Sequence, residues 1–190
     1  MEDVGRQRGI QINWKFFSLK LINKNREVSE NFKILHEIGL KALRVAAAVR
    51  REFGNSGVGK IYTAMGIRYH HDEADIDEPS TLAEILSSCG LPAGLAADAD
   101  NESLDEDIQA DMNQAIAKTG TDVGVPQIVL NGGKGPGFFG PVISPAPTGE
   151  AAVRFWDAIN AACSLPGFFE LKRTRGVGPI FGKRPAFPEG

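Results

Sequence analysis

The chain has 190 residues, a formal charge of −3, 42% hydrophobic and 24% charged residues. That length supports one domain, or one domain with a sizeable insertion, and the weakly acidic balance supplies no field for nucleic acid. No apolar run approaches the roughly 20 residues that span a bilayer, and the opening residues lack a secretory core, so no membrane partner and a cytoplasmic location are expected. The two cysteines, Cys89 and Cys163, lie too far apart in sequence to read as a disulfide framework and suit a reducing compartment.

Residues 10–21 open as a strand, with Ile10, Ile12 and Trp14 alternating with Gln11, Asn13 and Lys15. From about 29 to 119 the period becomes helical. Leu35, Ile38, Ala42, Val45, Val49 and Phe53 form one inward stripe that stops near Gly54. A shorter helix over 57–68 turns Ile61, Ala64 and Met65 inward. Thr81-Leu82-Ala83-Glu84 and Ser103-Leu104-Asp105-Glu106 fit the capping box, and the second leads a helix with Leu104, Ile108, Met112, Ala115 and Ile116 on its apolar face. Pro92 suits the start of a short helix after the Gly90-Leu91 turn.

Strand character returns at 125–130, and Asn131-Gly132 signals a hairpin turn; Phe138-Phe139 falls either on the returning strand or in an irregular connection that the glycines and prolines of 132–141 allow. Thr148 then suits an N-cap, and Ala152, Trp156, Ile159 and Cys163 line the inner face of the following helix. The stretch 168–175 has an aromatic start and a basic end, and 176–190 reads as an extended, poorly ordered tail. Strand, helical block, hairpin and helix together suit a small α/β sheet with helices inserted into one crossover.

Several segments resemble one group: residues 17–23, Ile61-Tyr62-Thr63-Ala64-Met65-Gly66 with His70 beyond, 123–131, Phe138-Phe139-Gly140-Pro141-Val142, and 168–175. In order and spacing they resemble the DsbA-like branch of the thioredoxin superfamily, especially the mycothiol-dependent nitroreductase and FrnE-like oxidoreductases. The resemblance implies an α/β thioredoxin-like fold, N-terminally truncated. It comprises a thioredoxin-like portion at 1–28 and 120–175, an inserted helical subdomain at 29–119, and a tail at 176–190. It also implies a strand and a Cys-Pro-Trp-Cys turn before Met1, with residues 1–8 as the tail of the first helix. A gene start placed too late, true degeneration, and a strand supplied by a partner are the three readings of that loss.

The same resemblance makes the Val125-Pro126 bond a cis-proline bend, which turns the Val125 backbone toward an extended thiol substrate; an ordinary turn proline is the alternative. Gln127 would neighbour that bend, where related chains often carry threonine. Trp14, Tyr62 and His70 are expected to border the same cleft. Cys163 sits on an apolar stripe and reads as a buried thiol. Cys89, at a helix exit, reads as partly exposed but disfavoured as a thiolate. His70-His71-Asp72-Glu73 with Asp75, Asp77 and Glu78 lacks metal-ligand spacing and reads as a solvated acidic loop, so no metal is expected. The glycines and prolines of 131–147 match no phosphate-binding motif. Lys172, Arg173 and Arg175 either hold an anionic ligand or belong to a solvated tail.

The implied function is a thiol-disulfide oxidoreductase, mycothiol-linked in its full-length form, with no catalytic residue and no bound cofactor in this chain. Its implied partner is a low-molecular-weight thiol or other small molecule. The alternative is a degenerate thioredoxin-like binding or structural protein that forms homo-oligomers through an exposed sheet edge.

Overall fold

The computed structural model describes residues 1–188, so residues 189 and 190 of the expected tail lie outside the described residues. The elements in chain order are α1 (Glu2–Arg8), α2 (Leu19–Ile22), α3 (Glu30–His70), α4 (Pro79–Ser88), α5 (Asp105–Thr119), β1 (Gln127–Val129), β2 (Gly137–Phe139) and α6 (Gly149–Cys163). Short 3-10 segments occupy Ala93–Asp100, Glu102–Leu104 and Asn131–Gly133. The described residues form two compact units: residues 14–112 with 183–188, called here the helical unit, and residues 1–13 with 113–182, the hairpin unit.

In the helical unit α3 packs on α2, α4 and the 3-10 segment Ala93–Asp100, which α4 also covers. The helix breaks at Gly54, whose backbone (φ 67°, ψ −165°) is open to glycine and costly for other residues, so the inward stripe ends where its sequence predicts. Val45, Val49, Ile61 and Ala64 are fully buried, as their spacing requires. Leu35 and Phe53 depart from the stripe: both are exposed, and Phe32 and Ile34 beside Leu35 are exposed as well. Arg44 is buried in this unit and survives burial by a two-pronged pair with Asp105 (2.7 and 2.8 Å) and a bond to the Ala99 carbonyl (3.4 Å).

Neither capping box forms. Pro79 occupies the first turn of α4 after Glu78, which leaves Thr81 inside the helix. At the second site Asn101 takes the capping role, accepting from the Ser103 amide (3.2 Å) and hydroxyl (2.7 Å). The α5 face is as expected, with Leu104, Ile108 and Met112 buried. Asp105, Glu106 and Asp107 in its first turn complement the positive end of the helix.

The strand expected over 10–21 does not form. Residues 10–18 run without helix or ladder and α2 follows. Their period-2 alternation is nonetheless expressed through side-chain partners in the helical unit. The Trp14 amide donates to Asn55 Oδ1 (3.0 Å), the Phe16 amide to Asp111 Oδ2 (3.1 Å) and the Ser18 amide to Met112 Sδ (3.4 Å). Asn55 Nδ2 donates back to the Trp14 carbonyl at 2.9 Å. These bonds place residues 14–18 with the helical unit, outside the 1–28 grouping that the resemblance implies.

In the hairpin unit β1 and β2 pair antiparallel, Ile128 opposite Phe138. Asn131 and Gly132 both take positive φ (52° and 61°), and the Gly133 amide closes on the Leu130 carbonyl at 3.2 Å, the turn that Asn-Gly favours. Val4, Leu130, Ala152, Trp156 and Cys163 form its core, so the predicted inner face of α6 is the observed one. Thr148 precedes α6 without a side-chain cap; Asp3 Oδ2 accepts from the Gly149 amide instead (2.7 Å). Arg8 on α1 pairs with Asp157 on α6.

Candidate functional site

The Val125-Pro126 corner stands at the head of β1. Pro126 follows a cis peptide bond, its carbonyl accepts from the Gly140 amide (2.8 Å), and both residues are exposed, Val125 at 41%. The bonds Gly140 to Pro126 and Leu130 to Pro136 (3.0 Å), with the Ile128–Phe138 register, direct the even-numbered peptide groups of β1 toward β2. The odd-numbered groups point to the other edge. There the amides and carbonyls of Val125, Gln127 and Val129 have no hydrogen-bond partner among the described residues. An edge of that kind can pair with an extended chain or an amide-bearing small molecule.

Gln127 has a role that its position did not announce. Its Nε2 donates to the Gly124 carbonyl (3.0 Å), and its Oε1 accepts from the Thr119 hydroxyl (3.0 Å). The side chain thus staples the end of α5 to the loop before Pro126 and holds the corner in place. Gly137 allows the hairpin to approach α5 closely, since a Cβ there would lie 2.7 Å from Lys118 Cβ.

Trp14 and Tyr62 meet in the helical unit, their ring centroids 5.0 Å apart and tilted by 36°. Two features fix Trp14: the paired bonds from Asn55, and Gly59, where an added Cβ would come within 2.7 Å of the indole Nε1. Tyr62 is 61% exposed, so the pair offers an accessible aromatic shelf. His70 does not join it. Eight residues along a helix rotate a side chain by roughly 80° and advance it about 12 Å, whereas the seven-residue step to Tyr69 nearly preserves the face. Tyr69, missed in the sequence although the heptad spacing was there to find, continues the aromatic stripe and takes His70 edge-on at 4.8 Å. Desolvation, then the charge of His71, lowers the His70 pKa from the usual imidazole value.

Neither cysteine is presented for chemistry. Cys89 is 1% exposed, not partly open as its helix-exit position suggested, because α4 packs on α3 and its Sγ points to the Lys60 carbonyl of α3 at 3.8 Å. Cys163 is 8% exposed on the core face of α6. Burial pushes both thiols up, away from the reactive thiolate. Among the described residues no group of three or more His, Cys, Asp or Glu side chains could hold a metal ion, and no helix is long and apolar enough to cross a membrane. Lys172, Arg173 and Arg175 are exposed in the irregular stretch after α6.

Residues 1–173 match the family model described as Rv2466c-like, mycothiol-dependent nitroreductase Rv2466c. The chain belongs to the Rv2466c-like family. A relative, the "Uncharacterized protein Rv2286c" of Mycobacterium tuberculosis (strain ATCC 25618 / H37Rv), is 31% identical over 181 residues, covering 95% of this chain and 76% of that protein. The family match takes in the Val125-Pro126 corner, the aromatic shelf and both cysteines, and ends before the last 17 residues of the chain.

Proposed function

We propose that this chain is an oxidoreductase scaffold of the DsbA-like thioredoxin branch, acting in the cytoplasm with a low-molecular-weight thiol of the kind in the family's name. Nitroreductase-like reduction with mycothiol as the thiol is the activity that the family description suggests. The observation that carries the reading is the open edge at Val125, where an exposed amide and carbonyl stand ready at the head of β1. A thiol ligand with peptide-like groups would pair with Val125, while Gln127 holds the loop and Pro126 shapes the bend. The order β1, β2, α6 is consistent with the closing half of a thioredoxin-like sheet.

Cys89 and Cys163 do not fit covalent exchange with such a thiol. Dithiol exchange needs an accessible thiolate to attack and a second sulfur to resolve the mixed disulfide, and both side chains here are buried with raised pKa values. Their role in this reading is packing.

The test has two arms. With the S-methyl derivative of the thiol, the Val125 amide resonance is expected to move on titration while amides around Cys89 and Cys163 stay still; a silent Val125 removes the binding reading. In a mixed-disulfide reduction assay the chain alone is expected to show no turnover. Turnover that Cys89→Ser or Cys163→Ser abolishes would overturn the assignment of both thiols.

A second reading rests on the same edge. A binding or structural protein would use Val125, Gln127 and Val129 to pair with a second copy across β1. Size measurement over a concentration series separates the two: a dimer that blocks the Val125 titration favours this reading, and a monomer that binds the thiol favours the first.

A further inference from the structure

The C-terminal segment beyond the family match is not loose along its whole length. Arg184 donates from Nε and a terminal nitrogen to the two carboxylate oxygens of Asp72, at 2.6 and 2.8 Å. Its other terminal nitrogen reaches the Pro185 carbonyl at 3.2 Å, and its guanidinium lies 4.9 Å from the Phe187 ring centroid. Asp72 also faces Arg68 at 3.6 Å, and Arg68 reaches Glu84 on α4 at 3.1 Å. Four charges of alternating sign therefore run from the tail across the end of α3 to α4. Beyond them Phe187 forms one wall of a cavity of about 180 Å³, with Arg68, Glu84, Ile85 and Ser88 as the others. All of these residues belong to the helical unit.

We propose that the face formed by Asp72 and Arg68 at the end of α3 with Glu84, Ile85 and Ser88 of α4 is a docking groove for an Arg-x-x-Phe segment, and that residues 184–187 of the same chain are its occupant, forming a latch closed in cis. The chemistry is specific at both ends. A planar guanidinium held by both oxygens of one carboxylate fixes direction as well as charge, which a lysine could not do. The aromatic ring supplies the apolar contact three residues later, beside the buried Ile85. Pro185 and Pro188 restrict the free segment, so less conformational freedom is lost when it docks. Asp72 lies just past the last turn of α3, where its amide and that of His71 both bond the Ile67 carbonyl (3.3 and 2.9 Å). A closed latch thus clamps the helix end that carries Tyr69 and His70, and an open latch frees both the groove and the tail.

Limited trypsin digestion of the full chain tests this, with each cleavage rate divided by that of the same bond in a synthetic peptide spanning residues 168–188. The Lys183–Arg184 bond is expected to be cut about tenfold more slowly than the Arg173–Thr174 bond, as a bidentate charged contact would impose. Asp72→Asn, which removes the acceptor on the α3 side, and Phe187→Ala, which removes the tail's aromatic anchor, should each bring the two normalised rates together while circular dichroism stays native. Equal normalised rates in the unaltered chain overturn the latch whatever the variants do. So does a variant, folded by circular dichroism, that leaves the protection in place.

Discussion

The helical unit and the hairpin unit treat their exposed backbone in opposite ways. Around residues 14–18 every second amide is taken up by a side chain, from Asn55, Asp111 or Met112. Along the outer edge of β1 the corresponding groups of Val125, Gln127 and Val129 have no partner among the described residues. The first arrangement is a closed structural solution that spends buried polar side chains on fixing a segment. The second leaves donors and acceptors without a partner among the described residues, which is what the proposed recognition of an extended ligand uses.

The sharpest way to break the contrast is to remove its central acceptor. Asp111 is 4% exposed and serves Lys15 Nζ (2.9 Å), the Phe16 amide and Arg50, whose guanidinium lies 4.1 Å from the Phe16 ring centroid. Asp111→Ala should destabilise the chain by about 3 kcal/mol or more in a denaturant titration, since two cations and an amide lose one partner together. A loss below about 1 kcal/mol would mean that residues 14–18 are not fixed in this way.

Thiol labelling sharpens the functional side of the comparison. Both cysteines should react at least about 100-fold more slowly with a disulfide reagent in the native chain than in denaturant at pH 8, because burial suppresses the thiolate and its access. Fast native labelling at either site would return that sulfur to the list of candidate nucleophiles. Next in size is Gly59→Ala, which should push the Trp14 indole off its shelf, red-shift its fluorescence and cost about 1–3 kcal/mol. Unchanged emission would show that the Trp14–Tyr62 contact does not depend on that close approach.

The smallest effect expected is acid sensitivity in the hairpin unit. The Arg8 hydrogen bond lowers the pKa of Asp157, and the Gly149 amide lowers that of Asp3. Lowered folded-state values mean that both contributions are fully present above the ordinary carboxylate range and fade as pH falls through the folded values. Asp157→Asn should therefore be slightly less stable than the unaltered chain at pH 6, and the two should converge in strong acid. A stability gap that stays constant down to pH 2 would refute the linkage.

What could be read from the residues followed from local rules. The α5 stripe of Leu104, Ile108 and Met112, the α6 stripe of Ala152, Trp156 and Cys163, the Gly54 break and the Asn131-Gly132 turn all express helical period or permitted dihedrals. The misreadings arose where a distant group intervened. Residues 10–16 carry a true alternation that Phe17 breaks, but whether alternation becomes a ladder depends on a neighbouring strand, and here side chains took the donors. Thr81 and Ser103 have the capping pattern, yet Pro79 and Asn101 begin their turns earlier. Cys89 looked partly open because its burial depends on α3, where its Sγ meets the Lys60 carbonyl 29 residues away. The Arg184–Asp72 pair joins positions 112 residues apart and has no local signature. At the candidate site, Pro126 and Tyr62 were visible as residue types, whereas the staple made by Gln127 became visible only with Thr119 and Gly124 beside it.

The side-chain capture of the Trp14, Phe16 and Ser18 amides has one more consequence. A half-buried apolar segment with free alternate donors would be a template for intermolecular β-assembly, and charged or covered edges are the usual protection against it. By occupying those donors internally, Asn55, Asp111 and Met112 make the segment a poor seed for aggregation. Variants that free it should lose solubility before they lose helix content.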